Sequence, residues 1–128
     1  MTPPRRLLPA LALLLAACDM GTEHGMSEAE AATLTGGSAT RGHALLRSYG
    51  CGSCHTIAGV DGANTLVGPP LTGMGERSYI AGVLVNTPGN MVRWIRDPRG
   101  VDSLTAMPSL GVTEQDARDM AAYLYSIR

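Results

Sequence analysis

Lysine and phenylalanine are both missing from this sequence. Without lysine, the ten basic residues are all arginines, scattered along the chain against eleven acids. No basic stripe exists of the kind that follows a phosphate backbone, which speaks against nucleic acid as a partner. Without phenylalanine, and with one tryptophan and four tyrosines, aromatic side chains fill little of an interior, so the core calls for another filler. Long hydrophobic runs are scarce as well: the longest, Leu7–Ala17, is eleven residues. A bilayer-spanning helix takes roughly 20, so no permanent transmembrane helix is expected. Sustained period-two alternation is absent too; Ile80–Val85 comes nearest, and Gly82 interrupts it. The fold is therefore expected to be all-α. No internal repeat is visible, and 128 residues suffice for one domain but not for two ordinary ones.

The first eighteen residues stand apart. Arg5 and Arg6 precede the apolar run, which stops at Cys18, the layout of an export signal. Leu15-Ala16-Ala17-Cys18 resembles the lipobox of bacterial lipoproteins, which implies that Cys18 becomes an acylated N-terminus and a membrane anchor. The alternative is a plain signal peptide with an incidental Cys18, which leaves a lone thiol unexplained in an oxidising compartment. Asp19 resembles the signal that holds enteric lipoproteins in the inner membrane. These features divide the chain into a signal peptide (1–17), a lipid-anchor cysteine with a flexible tether (18–40) and a folded domain (41–128). Loss of 1–17 leaves eight arginines against eleven acids. The tether is small and polar, and only Ser27 to Ala32 has the composition for a short helix; His24 reads as a solvated side chain.

Three helices are expected in the domain. Gly42, Leu45, Leu46 and Tyr49 fall on one helical face, with Thr40 placed to cap and Gly50 to stop. His43 and Arg47 lie off that face, so His43 is expected to be exposed and idle. A second helix starts near Thr87-Pro88, carries Met91, Trp94 and Ile95, and ends at Asp97-Pro98. The last is capped by Thr113, with Asp116 three residues on, and repeats Ala117, Met120, Ala121 and Leu124. Between them, 59–75 and 99–111 are rich in glycine and proline and too long for plain connections unless they wrap something or serve a function.

Cys51-Gly52-Ser53-Cys54-His55 sits directly after the first of these helices. Two thiols one turn apart can each add across a haem vinyl group while the neighbouring imidazole reaches the iron. Two other chemistries use such thiols. A thiol redox pair expects a βαβ setting, of which there is no sign. Zinc usually takes four protein ligands, and beyond Cys51, Cys54 and His55 only His24 and His43 remain, with no cysteine or histidine downstream.

From about Thr40 to Arg128 the sequence resembles a class I cytochrome c. The features carrying the resemblance occur in order: Gly42 in a first helix, Cys51–His55, the Gly68-Pro69-Pro70-Leu71 loop, a middle helix ending at Asp97-Pro98, Met107-Pro108, and a closing helix with Tyr123. The resemblance implies three main helices with long loops wrapping one haem c bonded to Cys51 and Cys54. It implies that Gly42 lets the first helix cross the last near Met120 and Tyr123, and that the Pro69 carbonyl accepts a hydrogen bond from the ring of His55. His55 alone would leave one face of the iron open. Met107, 52 residues on and biased to extended backbone by Pro108, is the candidate to close it. Met91 and Met120 sit on helix faces and read as core, while Met74 follows the 68–71 loop too closely to reach the far side easily. Haem propionates need donors, for which Arg77, Tyr79, Arg93, Trp94 and Arg96 are candidates. Trp94 lies inside a helix rather than in the loop before it, and packing serves it equally well.

The expected function is a one-electron carrier with no substrate turned over at the iron. Its partners would be a quinol-oxidising complex or dehydrogenase on one side and a terminal oxidase or reductase on the other, met at the periplasmic membrane face. The same chemistry fits a haem subunit of an oxidase or dehydrogenase complex. A ligand-binding protein or weak peroxidase with five-coordinate iron is the competing class, though no histidine lies downstream of His55 to act as a distal base. The lysine-free surface lacks the basic ring with which mitochondrial cytochrome c docks.

Overall fold

The computed structural model describes residues 26–128. The export signal, Cys18 and the start of the tether, with Met20 and His24, lie outside the described residues. Among those described, helices dominate: α1 (Glu28–Thr35), α2 (Ala39–Ser48), α3 (Pro88–Arg96), α4 (Pro98–Val101) and α5 (Glu114–Ser126). No helix among them is long and apolar enough to cross a membrane. The one sheet among the described residues is a hairpin of β1 (Tyr79–Ile80) and β2 (Leu84–Val85), antiparallel, with Tyr79 opposite Val85.

Part of the expected tether is folded. Ser27 and Glu30 form a reciprocal capping box, the Ser27 amide donating to the Glu30 carboxylate at 2.8 Å. Gly36 ends α1 in the left-handed conformation. Ala31 is fully buried, and the Thr35 hydroxyl donates back to the Ala31 carbonyl. Ser27 to Ala32 has the composition of a short helix, but nothing in it signals packing, because the helix buries alanine and threonine rather than a leucine stripe. Small size is what its docking requires: a side chain on Gly37 would collide with the backbone of Arg118 in α5.

α2 also begins earlier than Thr40 indicates. Ser38 is the cap, its hydroxyl accepting from the Arg41 amide. α2 and α5 cross closely, since a Cβ on Gly42 would run into the Asp119 carbonyl and reach 3.0 Å from the Met120 Cα. A buried carboxylate clamps it. Asp119, 1% exposed, accepts from the Ser38 amide (2.7 Å), from both Nε and Nη2 of Arg41 (2.8 and 2.9 Å) and from Gln115 (3.1 Å). Burial alone pushes the Asp119 carboxyl up, but these bonds and the Arg41 charge together hold it below its ordinary value.

α5 is capped by Thr113 and buries the Ala117, Met120, Ala121 and Leu124 face as expected, with Ala122 and Tyr125 besides. α3 opens on Thr87 and Pro88 and buries Met91, Val92, Trp94 and Ile95. Asp97-Pro98 both ends α3 and starts α4: the Asp97 carboxylate accepts from the Gly100 amide at 3.0 Å, with Pro98 at the first helical position. α1 and α3 flank α5, so the interior is alanine, methionine and branched aliphatics, with Trp94 and Tyr125 the buried aromatics of the described core.

Candidate cofactor-attachment site

Gly50, at φ 76°, turns the chain out of α2 into a 3-10 turn over Cys51–Ser53. The Cys54 and His55 amides both donate to the Cys51 carbonyl, at 3.2 and 3.0 Å, so the two thiols and the imidazole share one turn. Both thiols are free and partly exposed. Burial pushes the Cys51 thiol up, which keeps it protonated at neutral pH. Two threonines staple the turn to the loop that follows: Thr65 donates to the Gly52 carbonyl (2.9 Å) and Thr56 to the Thr65 carbonyl (2.8 Å). No sequence pattern singles out either threonine.

His55 is oriented by the next loop. Its Nδ1 lies 2.7 Å from the Pro69 carbonyl, which can only accept, so Nδ1 carries the proton. Nε2 has no partner among the described residues and presents its lone pair outward. Gly68 donates to the Cys54 carbonyl at 2.7 Å and Leu71 to that of Thr56 at 2.9 Å, fixing Pro69 from both sides. Gly68 lies so close to the imidazole that a Cβ there would strike its ring atoms. Arg77 Nη2 adds bonds to the Pro70 and Thr72 carbonyls, at 2.7 and 2.9 Å.

Met107 is partly buried against the core, in the loop after α4, where its amide donates to the Thr105 hydroxyl. Apolar side chains stand in solvent beside both loops: Leu66 (76% exposed) and Val67 (80%) just before Gly68, and Leu104 (92%) before Met107. A flat apolar group covering them would remove a surface that water penalises. Two addable thiols on one turn, one imidazole with its outer nitrogen free, and a glycine that spares the ring form a donor set that fits a covalently attached haem. Among the described residues, no three His, Cys, Asp or Glu side chains converge as a metal site.

The remaining candidates are dispersed. Arg77 is committed to loop carbonyls, Arg96 to Glu114 at 3.4 Å, and Trp94 to the core, while Tyr79 and Arg93 point into solvent. His43, expected to be idle, is not: its Nε2 bonds the Gly59 carbonyl at 2.8 Å and its ring meets Tyr123 edge-on at 5.2 Å. Tyr123 in turn donates to the Ala58 carbonyl, so α2 and α5 together hold the loop beyond His55. Asn86 is a further brace that sequence reasoning missed. It donates to the Met74 and Arg77 carbonyls and accepts from Tyr125. Two cavities, of about 720 and 520 Å³, lie elsewhere, one beside Leu34, Tyr125 and Ile127 and the other beside Arg93, Arg96 and Glu114.

The family model described as cytochrome c matches residues 39–128. Cytochrome c oxidase subunit 2 of Alkalihalophilus pseudofirmus is 36% identical over 91 residues, covering 70% of this chain and 26% of that protein. Cytochrome c oxidase subunit 2 of a Bacillus species (strain PS3) is 29% identical over 107 residues, 80% of this chain and 30% of that protein. The chain thus spans less than a third of the length of these curated relatives. No solved structure gives a significant match.

Proposed function

The chain belongs to the cytochrome c family and its role is haem-based electron transfer; from that premise we propose a one-electron carrier with haem c bonded to Cys51 and Cys54 and ligated axially by His55 and Met107. The observation that carries the reading is the His55–Pro69 hydrogen bond on the same turn as two free thiols. When bound, the haem supplies an iron that cycles between ferric and ferrous states. Cys51 and Cys54 keep it from dissociating. Pro69 holds the proton on Nδ1, which leaves Nε2 as the ligating atom and raises its basicity. Met107 would offer the iron a soft thioether that favours the ferrous state and would keep oxygen and other small ligands from it, so that no substrate would be turned over there. The staples from Thr56, Thr65, Tyr123 and Arg77 keep this surrounding frame rigid across the redox change.

The partners in this reading are a quinol-oxidising complex or dehydrogenase as donor and a terminal oxidase or reductase as acceptor, met on the periplasmic side of a bacterial inner membrane, with Cys18 as lipid anchor. Similarity to two oxidase subunits favours a close variant, in which the domain serves inside or beside an oxidase. Detergent extraction followed by native electrophoresis and haem staining separates the free carrier from the subunit.

The ligand assignment is tested by the ferric spectrum. The native protein should show the sulfur-to-iron band at the red end, and Met107→Ala should lose it and gain rapid carbon monoxide binding when reduced. A native spectrum without the band, or a band that survives in the variant, removes Met107 from the site.

A further inference from the structure

Among the described residues, two side-chain hydrogen bonds tie the 56–65 loop to the helices, and they take adjacent carbonyls. Tyr123 of α5 donates to Ala58 at 2.8 Å, and Nε2 of His43, on α2, lies 2.8 Å from the Gly59 oxygen. A carbonyl only accepts, so this nitrogen carries the proton. The two rings brace each other edge-on, and Gly59, at φ 77°, lies so close to Tyr123 that a Cβ there would strike its hydroxyl. His43 follows directly on Gly42, where α2 is pressed against the α5 backbone, so the donor stands on a fixed base. From these anchors the loop runs to both halves of the attachment site. Its amides close on themselves, Ile57 donating to Ala63 at 3.0 Å and Ala63 to Val60 at 3.1 Å. Ala63 packs on the Cys51–Ser53 turn, since a Cβ on Gly52 would come within 2.8 Å of the Ala63 Cβ. Thr56, bridged to Asn64, accepts from the Leu71 amide at 2.9 Å, two residues beyond the carbonyl that holds the His55 ring.

We propose that His43 is a positioning residue for the His55 imidazole, acting through the Gly59 carbonyl, the 56–65 loop and Leu71 to keep Pro69 at bonding distance from Nδ1, a role that rests on the carrier reading above. Tyr123 does not supply it alone, because its hydroxyl is committed to Ala58 and leaves the Gly59 carbonyl to His43. Without the His43 donor that carbonyl turns to solvent and the loop is free to draw away from α2. Leu71 then loses its fixed acceptor in Thr56, and the Pro69–His55 bond weakens. A weaker bond at Nδ1 makes Nε2 less basic, which favours the ferrous form over the ferric.

The test compares two variants in full-length holoprotein: His43→Leu, which keeps bulk without a donor, and His43→Gln, whose amide can donate to the same carbonyl. In His43→Leu, hydrogen exchange at the Ala63 and Leu71 amides should quicken about tenfold, the worth of one hydrogen bond, while Ala121, buried in α5, stays within about twofold of wild type. In the reduced protein the His55 Nδ1 proton resonance should move upfield, and at one fixed applied potential the ferrous-to-ferric ratio should rise about threefold. His43→Gln should return all three readings toward wild type. A His55 resonance and a redox ratio that keep their wild-type values in His43→Leu would make His43 a tie for the loop and nothing more, which overturns the proposal. So does equal quickening at Ala121, the mark of general loosening, or a glutamine variant that behaves like the leucine one. Failure of the carrier reading shows separately, as wild-type protein without a one-electron wave, and the Leu71 amide and the His55 proton would still decide the part played by His43.

Discussion

Nδ1 of His55 and the carbonyl oxygen of Pro69 lie 2.7 Å apart, bridging fourteen residues of chain. That one contact settles the tautomer of the ring and aims its other nitrogen outward. It depends on a loop with no room beside the imidazole, and the room is kept by Gly68.

Gly68→Ala should therefore disturb the site directly. The added methyl must displace either the ring or a backbone pinned to Cys54, a cost of about 1–3 kcal/mol. The expected outcome is a lower unfolding midpoint in denaturant and a reduced ratio of haem absorbance to protein. Wild-type values for both would show that the loop is free to yield.

Gly42→Val tests the helix crossing. Its Cβ would meet the Asp119 carbonyl and the Met120 backbone, so α2 must lift from α5, at about 3 kcal/mol or more. Thermal unfolding of the variant should begin well below that of the native protein, and the α2–α5 amides should lose protection in hydrogen exchange.

Asp119 gives a pH signature. Its carboxyl is held below the unfolded value of about 3.9, so its stabilisation is complete above that pH and disappears as pH falls through the lower folded value. Asp119→Asn should cost about 1–3 kcal/mol at pH 7, because an amide cannot accept from the Arg41 fork at both oxygens. The gap between wild type and variant should close on acidification below pH ~4, as read from urea unfolding. A gap that is constant with pH would mean that the carboxylate is not the clamp.

The parts legible in the sequence are those where one short pattern carries the geometry: the Cys51–His55 spacing, the Thr113 cap, Pro88 at a helix start; the Asp116 carboxylate, expected to complete that cap, instead accepts from Tyr49 at 2.8 Å. The Asp119 clamp was not legible, because its arginine lies 78 residues away and nothing local marks a buried aspartate. α1 was missed as a packed helix because alanine and threonine at its contact carry little hydrophobic signal. His43 was misjudged because its partner is a loop carbonyl sixteen residues on, off the apolar face that periodicity detects. The hairpin at 79–85 was half seen: Gly82 does interrupt the strand, but as its turn, together with Ala81 at φ 51°.

Tyr125 gives an alkaline counterpart. Burial pushes its hydroxyl up to about 12, and it donates to Asn86 at 2.7 Å. A folded value above the unfolded value of about 10 means stability lost as pH rises from 10 toward 12, since only the unfolded chain releases the proton there. Tyr125→Phe should lose about 1 kcal/mol at pH 7 and show a shallower decline over that alkaline window in guanidinium titrations. An unchanged alkaline slope would place Tyr125 in solvent.

A porphyrin held through Cys51 and Cys54 is tested most directly by intact mass with a pyridine haemochrome spectrum. Protein from a host with working cytochrome maturation should carry the mass of one haem and the spectrum of two saturated thioether links, and Cys51→Ser/Cys54→Ser should carry neither. Colourless wild-type protein at the mass of the bare polypeptide would contradict the account.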